Sequence, residues 1–114
     1  MLKTFGQTLQ EFRRNKKISQ RELAREVDVD FSYISKIEND RLPPPAADTI
    51  MKICEILEIP ADNLLALTGK VPTNIKQSIG SSPGAQQFVR EASKMNLSEE
   101  EWKSLTNRLK RLRK

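Results

Sequence analysis

Residues Ile18 to Asn39 read ISQRELAREVDVDFSYISKIEN, and their apolar positions fall into two short helical patterns joined by a tight bend. Ser19 carries a side-chain oxygen able to cap a helix, and Glu22, three residues on, is spaced to complete a capping box. A helix therefore starts at Gln20. Leu23, Ala24 and Val27 recur at helical spacing and leave Gln20, Arg21 and Arg25 on the outer face. The pattern breaks at Asp28 and Val29, after which Asp30 is placed to cap a second helix. In that helix Ile34 and Ile37 point inward, and Phe31, Ser32, Ser35 and Lys36 point outward. A short helix braced by its predecessor is how many proteins lay a helix in the DNA major groove. The polar outer face of the second helix suits base edges.

Apolar Leu23, Val27, Val29, Ile34 and Ile37, small Ala24 and the closing Ile37-Glu38-Asn39 stand in an order that resembles a lambda-repressor-like (Xre-type) helix-turn-helix regulator. The resemblance covers about the first 70 residues, with FGQTLQEFRRNKK as helix one. It implies an all-α fold: a five-helix DNA-binding domain over 1–70, with the motif at about 20–39, and a helical extension over 71–114 for dimerisation or regulation. Two positions depart from the family. Asp28 and Asp40 stand where glycine is usual, and both are expected to need a left-handed backbone, which Asp tolerates at a cost of about 1 kcal/mol.

Site roles follow from the same likeness. Gln20 resembles the residue that joins the free N–H groups of helix two in holding a phosphate. Phe31, Ser32, Ser35 and Lys36 resemble the groove-facing set: Phe31 against a thymine methyl, the serines bonding to either base type, Lys36 to guanine or phosphate. Tyr33 and Asn39 flank that face as backbone contacts, and Arg41 reaches phosphate from the following loop. Packing of Phe31 under helix one, and a half-buried core position for Tyr33, are the alternatives. The Asp30 carboxylate opposes nearby phosphates. Arg13 and Glu38 match positions where similar domains tie helix one to the end of the recognition helix by an ion pair.

Composition narrows the remaining classes. A chain of 114 residues accommodates one domain of this size and an appendage. No run approaches the roughly 20 apolar residues of a membrane span, and Lys3, Glu11, Arg13 and Arg14 interrupt any signal peptide, so a cytoplasmic protein without membrane contact is expected. Cys54 is the only cysteine and histidine is absent, which removes internal disulfides, the usual zinc sets and the base of an acyl-transfer triad. There is no phosphate-cradling Gly-rich loop. No enzyme, metal or cofactor is expected. Cys54 follows Ile50 and Ile53 on an apolar face, where packing competes with a redox-sensing role and fits better.

The formal charge of +5 is unevenly spread. Residues 1–70 hold 11 basic and 11 acidic side chains, whereas 71–114 hold 9 and 4. Inside the domain, residues 1–25 carry a net +5 and 26–70 a net −5. Arg13, Arg14, Lys16, Lys17, Arg21 and Arg25 thus form a basic end that would orient approach to phosphate if it lies beside the backbone; otherwise it is a solvated helix face.

Beyond the motif, Leu42-Pro43-Pro44-Pro45 enforces an extended spacer. Ile50, Met51, Ile53, Cys54, Ile56 and Leu57 predict helix four. Pro60 and Asp62 open helix five, with Leu64, Leu65 and Leu67, and Gly69 ends it. Phe5, Leu9, Phe12 and Ile18 would close the core against these. A helix restarts at Val71-Pro72-Thr73 through Ile75 and Ile79, and Gly80 to Gly84 reads as a flexible break. Ser82-Pro83 begins a helix bearing Phe88, Val89, Ala92 and Met95; Ser98 with Glu101 is a capping box for the last, where Trp102, Leu105, Leu109 and Leu112 form one stripe. That stripe either packs on the preceding helix or dimerises. A homodimer on double-stranded DNA is favoured, because one recognition helix reads only a few base pairs. Arg108, Lys110, Arg111, Arg113 and Lys114 complement the helix C-terminus or meet DNA or an acidic partner.

The layout also resembles repressors cleaved by a zinc metallopeptidase encoded beside them, which implies such a partner and relief by proteolysis. The competing class is an antitoxin-like module whose tail occludes a toxin and which autoregulates its own promoter.

Overall fold

Thr4 opens the first helix by accepting the Gln7 N–H at 3.1 Å, while Gln7 Oε1 accepts the Thr4 N–H at 3.0 Å. This is a full capping box in the TFGQ segment, with a sequence signature that the reading above passed over. In the computed structural model, which describes residues 2–113, all regular elements are helices. They are α1 (Phe5–Asn15), α2 (Gln20–Glu26), α3 (Phe31–Glu38), α4 (Ala47–Leu57), α5 (Asp62–Thr68), α6 (Thr73–Gly80), α7 (Pro83–Met95) and α8 (Glu99–Lys110). Lys114 lies outside the described residues. None of the described helices is long and apolar enough to cross a membrane.

Two expected caps are only partly made. Ser19 Oγ accepts the Glu22 N–H at 3.0 Å and starts α2, but the Glu22 carboxylate returns no bond, so half a capping box forms. Asp30 takes the N-cap position of α3 with extended backbone (φ −70, ψ 145), yet its carboxylate caps nothing. The Tyr33 N–H, one of the two that such a side chain can take, donates instead to the Asp30 carbonyl at 3.1 Å.

The turns run as the two glycine-replacing aspartates require. Asp28 has φ 59 and Asp40 φ 58, both left-handed. Beside them the chain closes with 6→1 bonds, Val29 N–H to the Ala24 carbonyl at 2.9 Å and Arg41 N–H to the Lys36 carbonyl at 2.8 Å. Gly69, at φ 69, ends α5.

α1 to α5 share one core. Leu9, Leu23, Ile34, Ile37, Ile50, Ile53 and Leu64 are fully buried, and Phe12, Ile18 and Tyr33 pack half-buried against them. Cys54 belongs to this core, and burial pushes its thiol up to about 11. Met51 and Leu67, which the periodicity placed with the apolar faces, lie exposed. The Pro44 and Pro45 carbonyls accept from Lys70 Nζ at 3.1 and 2.9 Å, which ties the proline spacer to the end of α5.

The chain forms two compact units, one through Ile75 and one from Lys76 onward. Thr73 explains why the first unit reaches past α5: its N–H and hydroxyl donate to the two Asp48 carboxylate oxygens at 3.0 and 2.7 Å. The flexible break expected over Gly80 to Gly84 is a turn of two residues instead. Gly80 still belongs to α6, and Pro83 begins α7, because Ser82 Oγ accepts the Ala85 N–H at 3.1 Å and Pro83 at the first helical position lacks only an N–H that has no partner there. The Ser98–Glu101 capping box forms and starts α8.

The second unit has little interior. Among its described residues only Ala92 is a buried hydrophobic, whereas Phe88, Val89, Met95, Trp102, Leu109 and Leu112 are 40% to 75% exposed.

Candidate nucleic-acid interface

α2 turns Leu23 and Ala24 into the core and α3 turns Ile34 and Ile37 against them, which fixes what each helix shows to solvent. Arg21, Arg25, Phe31, Ser32, Lys36, Asn39 and Arg41 are exposed; Gln20, Tyr33 and Ser35 are half-buried. Phe31, Ser32 and Lys36 therefore form one open face of α3.

Beneath this face lies a buried polar cluster. Arg13 donates from Nε to Glu38 Oε2 at 2.6 Å and from Nη2 to Glu38 Oε1 at 2.9 Å, a two-pronged pairing with fixed geometry. Its Nη1 donates to the Ile18 carbonyl at 2.9 Å. Gln20 Nε2 donates to the same Glu38 Oε1 at 2.9 Å. The Glu38 side chain is 0% exposed and that of Arg13 is 9% exposed, so the charges are neutralised by each other and not by water. One consequence concerns Gln20: its amide donor faces inward and fastens α2 to the end of α3, leaving the side-chain oxygen and the backbone for anything outside.

The remaining residues divide by what already engages them. Asn39 Nδ2 donates to the Ser35 carbonyl at 2.9 Å and so closes the last turn of α3. Tyr33 rests half-buried against the core, the core alternative named above. Phe31 is 39% exposed and shares a cleft with Gln10, Arg13 and Arg14 of α1, and the Arg21 guanidinium carbon lies over its ring, 4.4 Å from the centroid. Arg41 projects from the loop after α3.

A shallow cleft of about 440 Å³ borders this face, lined by Gln10, Arg13, Arg14, Ser19, Gln20, Arg21 and Phe31. Its charged lining is Arg13, Arg14 and Arg21, of which Arg13 is neutralised by Glu38. Sequence reading had not singled out Gln10, although it stands one helical turn before Arg14 and so shares that arginine's side of α1. Nor had it found the work of Asp40, whose carboxylate accepts from Thr4 Oγ1 at 2.7 Å and from the Gly6 N–H at 3.2 Å. The loop after α3 thereby caps α1. That contact joins residues 34 and 36 positions apart, beyond any local pattern.

Residues 6–70 match the family described as a helix-turn-helix domain. The chain belongs to that family. Within it, this helix-turn-helix protein is of the lambda-repressor-like (Xre) type. It is 36% identical over 77 residues to RghRB of Bacillus subtilis (strain 168), an HTH-type transcriptional regulator named as uncharacterized, covering 65% of this chain and 55% of the relative. To the HTH-type transcriptional repressor RghR of the same organism it is 33% identical over 70 residues, covering 61% and 52%. It spans about half the length of these curated relatives. Among solved structures, the master regulator for biofilm formation SinR in complex with DNA is similar at 31% identity and a TM-score of 0.51, over 54% of this chain and 98% of that one. The all-α class expected from the motif is that of these neighbours.

Proposed function

We propose that this helix-turn-helix protein is a sequence-specific DNA-binding transcriptional regulator, a cytoplasmic repressor that binds a palindromic operator as a homodimer. The observation that carries the reading is the open face of α3, with Phe31, Ser32 and Lys36 exposed beside a cleft to which Arg14 and Arg21 bring positive charge, Arg13 there being paired with Glu38. Base edges need small polar, apolar and cationic partners in one groove-wide strip, and phosphates need positive charge alongside. In this reading Arg21 and Arg41, with Gln20 and Asn39 through the groups their internal bonds leave over, serve the sugar-phosphate backbone; Ser35 and Tyr33 sit at the margins of the strip. A relative named as a transcriptional repressor and a similar structure solved on DNA support it.

The homodimer rests on the second unit. Ile79, Ala85, Phe88, Val89, Trp102, Leu105, Leu109 and Leu112 line an open, largely apolar groove of about 620 Å³. A segment below about 40 residues seldom builds a sufficient core alone and commonly gains one by association. A second copy supplies it and also provides the second recognition helix that a palindrome needs. Cleavage ahead of this unit by a partner zinc metallopeptidase would release the operator through lost avidity, and Gly69, Lys70 and Val71 are exposed there. The same groove favours one other reading, an antitoxin-like module holding a toxin or another protein partner.

Selection from a random duplex pool with the full chain tests the proposal. The expected result is an inverted repeat whose half-sites lie about 10 base pairs apart or a multiple of that. Absence of any enriched sequence refutes it, and stoichiometric capture of a different protein in place of self-association favours the second reading.

A further inference from the structure

Phe31 is a large apolar side chain standing among polar ones on the face assigned to base contact, and it is not loose there. Arg21 is the second residue of α2 and Phe31 the first of α3, so the 4.4 Å approach of guanidinium to ring centroid bridges the two halves of the motif. That distance is well inside the roughly 6 Å range at which a cation is drawn to an aromatic face. Arg21 lies over the ring, and 39% of the Phe31 residue remains exposed for an outside contact. The guanidinium loses nothing by it, because its N–H groups radiate in its own plane and stay available at the rim.

We propose that Arg21 and Phe31 form one composite reader, in which Phe31 meets the methyl group of a thymine and Arg21, stacked on the ring, positions it while bonding the neighbouring phosphate. This deepens the DNA-binding reading and rests on it. The first residues of a recognition helix are those that reach base edges, and an aromatic ring there has one favourable partner in the major groove, the thymine methyl. Cytosine at the same place carries no methyl, so it forfeits the apolar contact that thymine makes with the ring. Arg21 supplies what the ring cannot: a fixed orientation and a charge anchored to the backbone. Arg21 is therefore a positioning residue for specificity and not only one more phosphate contact.

Replacing thymines of the selected operator one at a time by deoxyuridine removes a methyl group and nothing else. With the parent chain, affinity should fall about fourfold at one thymine in each half-site, the worth of one buried methyl-sized group, and hardly elsewhere. Phe31→Ala should abolish that step. Arg21→Lys keeps the charge but not the planar stack; it should lower binding to every duplex, the random one included, by the same factor through the altered phosphate bond, and beyond that uniform fall it should abolish the thymine-over-deoxyuridine step. Both side chains are exposed, and unchanged melting temperatures will show that the variants are folded. A full thymine-over-uracil preference in Arg21→Lys, or no sensitive thymine in the parent, overturns the pair. If the parent binds no duplex at all, the random one included, the DNA-binding reading itself fails, and the two failures are told apart by that control.

Discussion

The Arg13–Glu38 pair gives the sharpest quantitative test of how this domain is held together. Replacing Arg13 by Met leaves the Glu38 carboxylate, whose side chain is 0% exposed, with Gln20 Nε2 as its one remaining donor. Replacing Glu38 by Leu leaves a guanidinium with a 9% exposed side chain bonded only to the Ile18 carbonyl. Each change strands a buried charge, and each should cost about 3–5 kcal/mol, a large part of the roughly 5–15 kcal/mol that holds a domain folded. Changing both together removes the charges and fills the space with apolar atoms. What is left over is the Gln20 amide and the Ile18 carbonyl, both partly buried, at about 1 kcal/mol each. The double variant should thus lose about 2 kcal/mol where the single losses add to 6 or more, a coupling of at least about 4 kcal/mol. Urea unfolding of the full chain at neutral pH, followed by helical circular dichroism, measures all three. Additive losses, or single losses below about 1 kcal/mol of the kind surface pairs give, would show that the pair is hydrated and that the account of the polar cluster is wrong.

Four further outcomes follow from the same coordinates. Gly6→Ala places a Cβ 2.6 Å from Asp40 Oδ1, 2.7 Å from the Glu38 carbonyl and closer still to that of Ile37; it should destabilise by about 2 kcal/mol or more although Ala is ordinarily about 1 kcal/mol better than Gly in a helix, and a melting point at or above the parent's refutes the close approach. Lys36→Ala combined with Ser32→Ala should erase the preference for the selected operator over random duplex in competition binding while leaving most random-duplex affinity, since bases specify and phosphates position. Leu105→Asp with Leu109→Asp should give a monomer by light scattering that still holds an isolated half-site weakly; an unchanged mass removes the second unit from dimerisation. Cys54, with its thiol raised to about 11 by burial, should resist alkylation at pH 8 in the folded chain and react promptly in urea. Because the folded value lies above the usual 9.0, the buried thiol's contribution to stability holds below pH 9 and is lost as pH climbs towards 11, which the pH profile of Cys54→Ala, flatter over that interval, will show.

What could be read from the chain was what depends on near neighbours. The two motif helices and their bend follow from spacing over a few residues, most of the core list follows from helical periodicity, and the left-handed Asp28 and Asp40 were implied by the resemblance to domains that carry glycine there. The caps show where that reasoning thins. Ser19 and Glu22 have the capping-box spacing, yet only the serine's bond forms, whereas Ser98 and Glu101 with the same spacing complete theirs. Asp30 was expected to cap because of its type, and in the fold the Tyr33 N–H bonds its backbone carbonyl instead of its carboxylate. Asp40 illustrates the opposite case. Its backbone role was legible from the turn, whereas its carboxylate reaches Thr4 and Gly6 across the fold, and no local pattern encodes a partner that distant. Gln20 is similar: helix position marks it as outward, and only the fold shows its amide donor turned to Glu38.

The second unit was hard to read for a different reason. Trp102, Leu105 and Leu109 stand on α8 and Leu112 two residues past its end, all four on one groove that Phe88 and Val89 of α7 also line, yet among the described residues of the unit only Ala92 is a buried hydrophobic. Sequence periodicity reports that a face wants covering and is silent on what covers it. In residues 5–68 the answer lies within the chain, because five helices bury one another. In α7 and α8 the amphipathic pattern is just as regular, but the unit leaves that face open, so the pattern alone does not choose between self-association and capture of a different protein. An open groove of about 620 Å³ with apolar walls is the mark such a half-written core leaves, and the need for a second recognition helix is the physical reason to favour a second copy of the same chain as its other half.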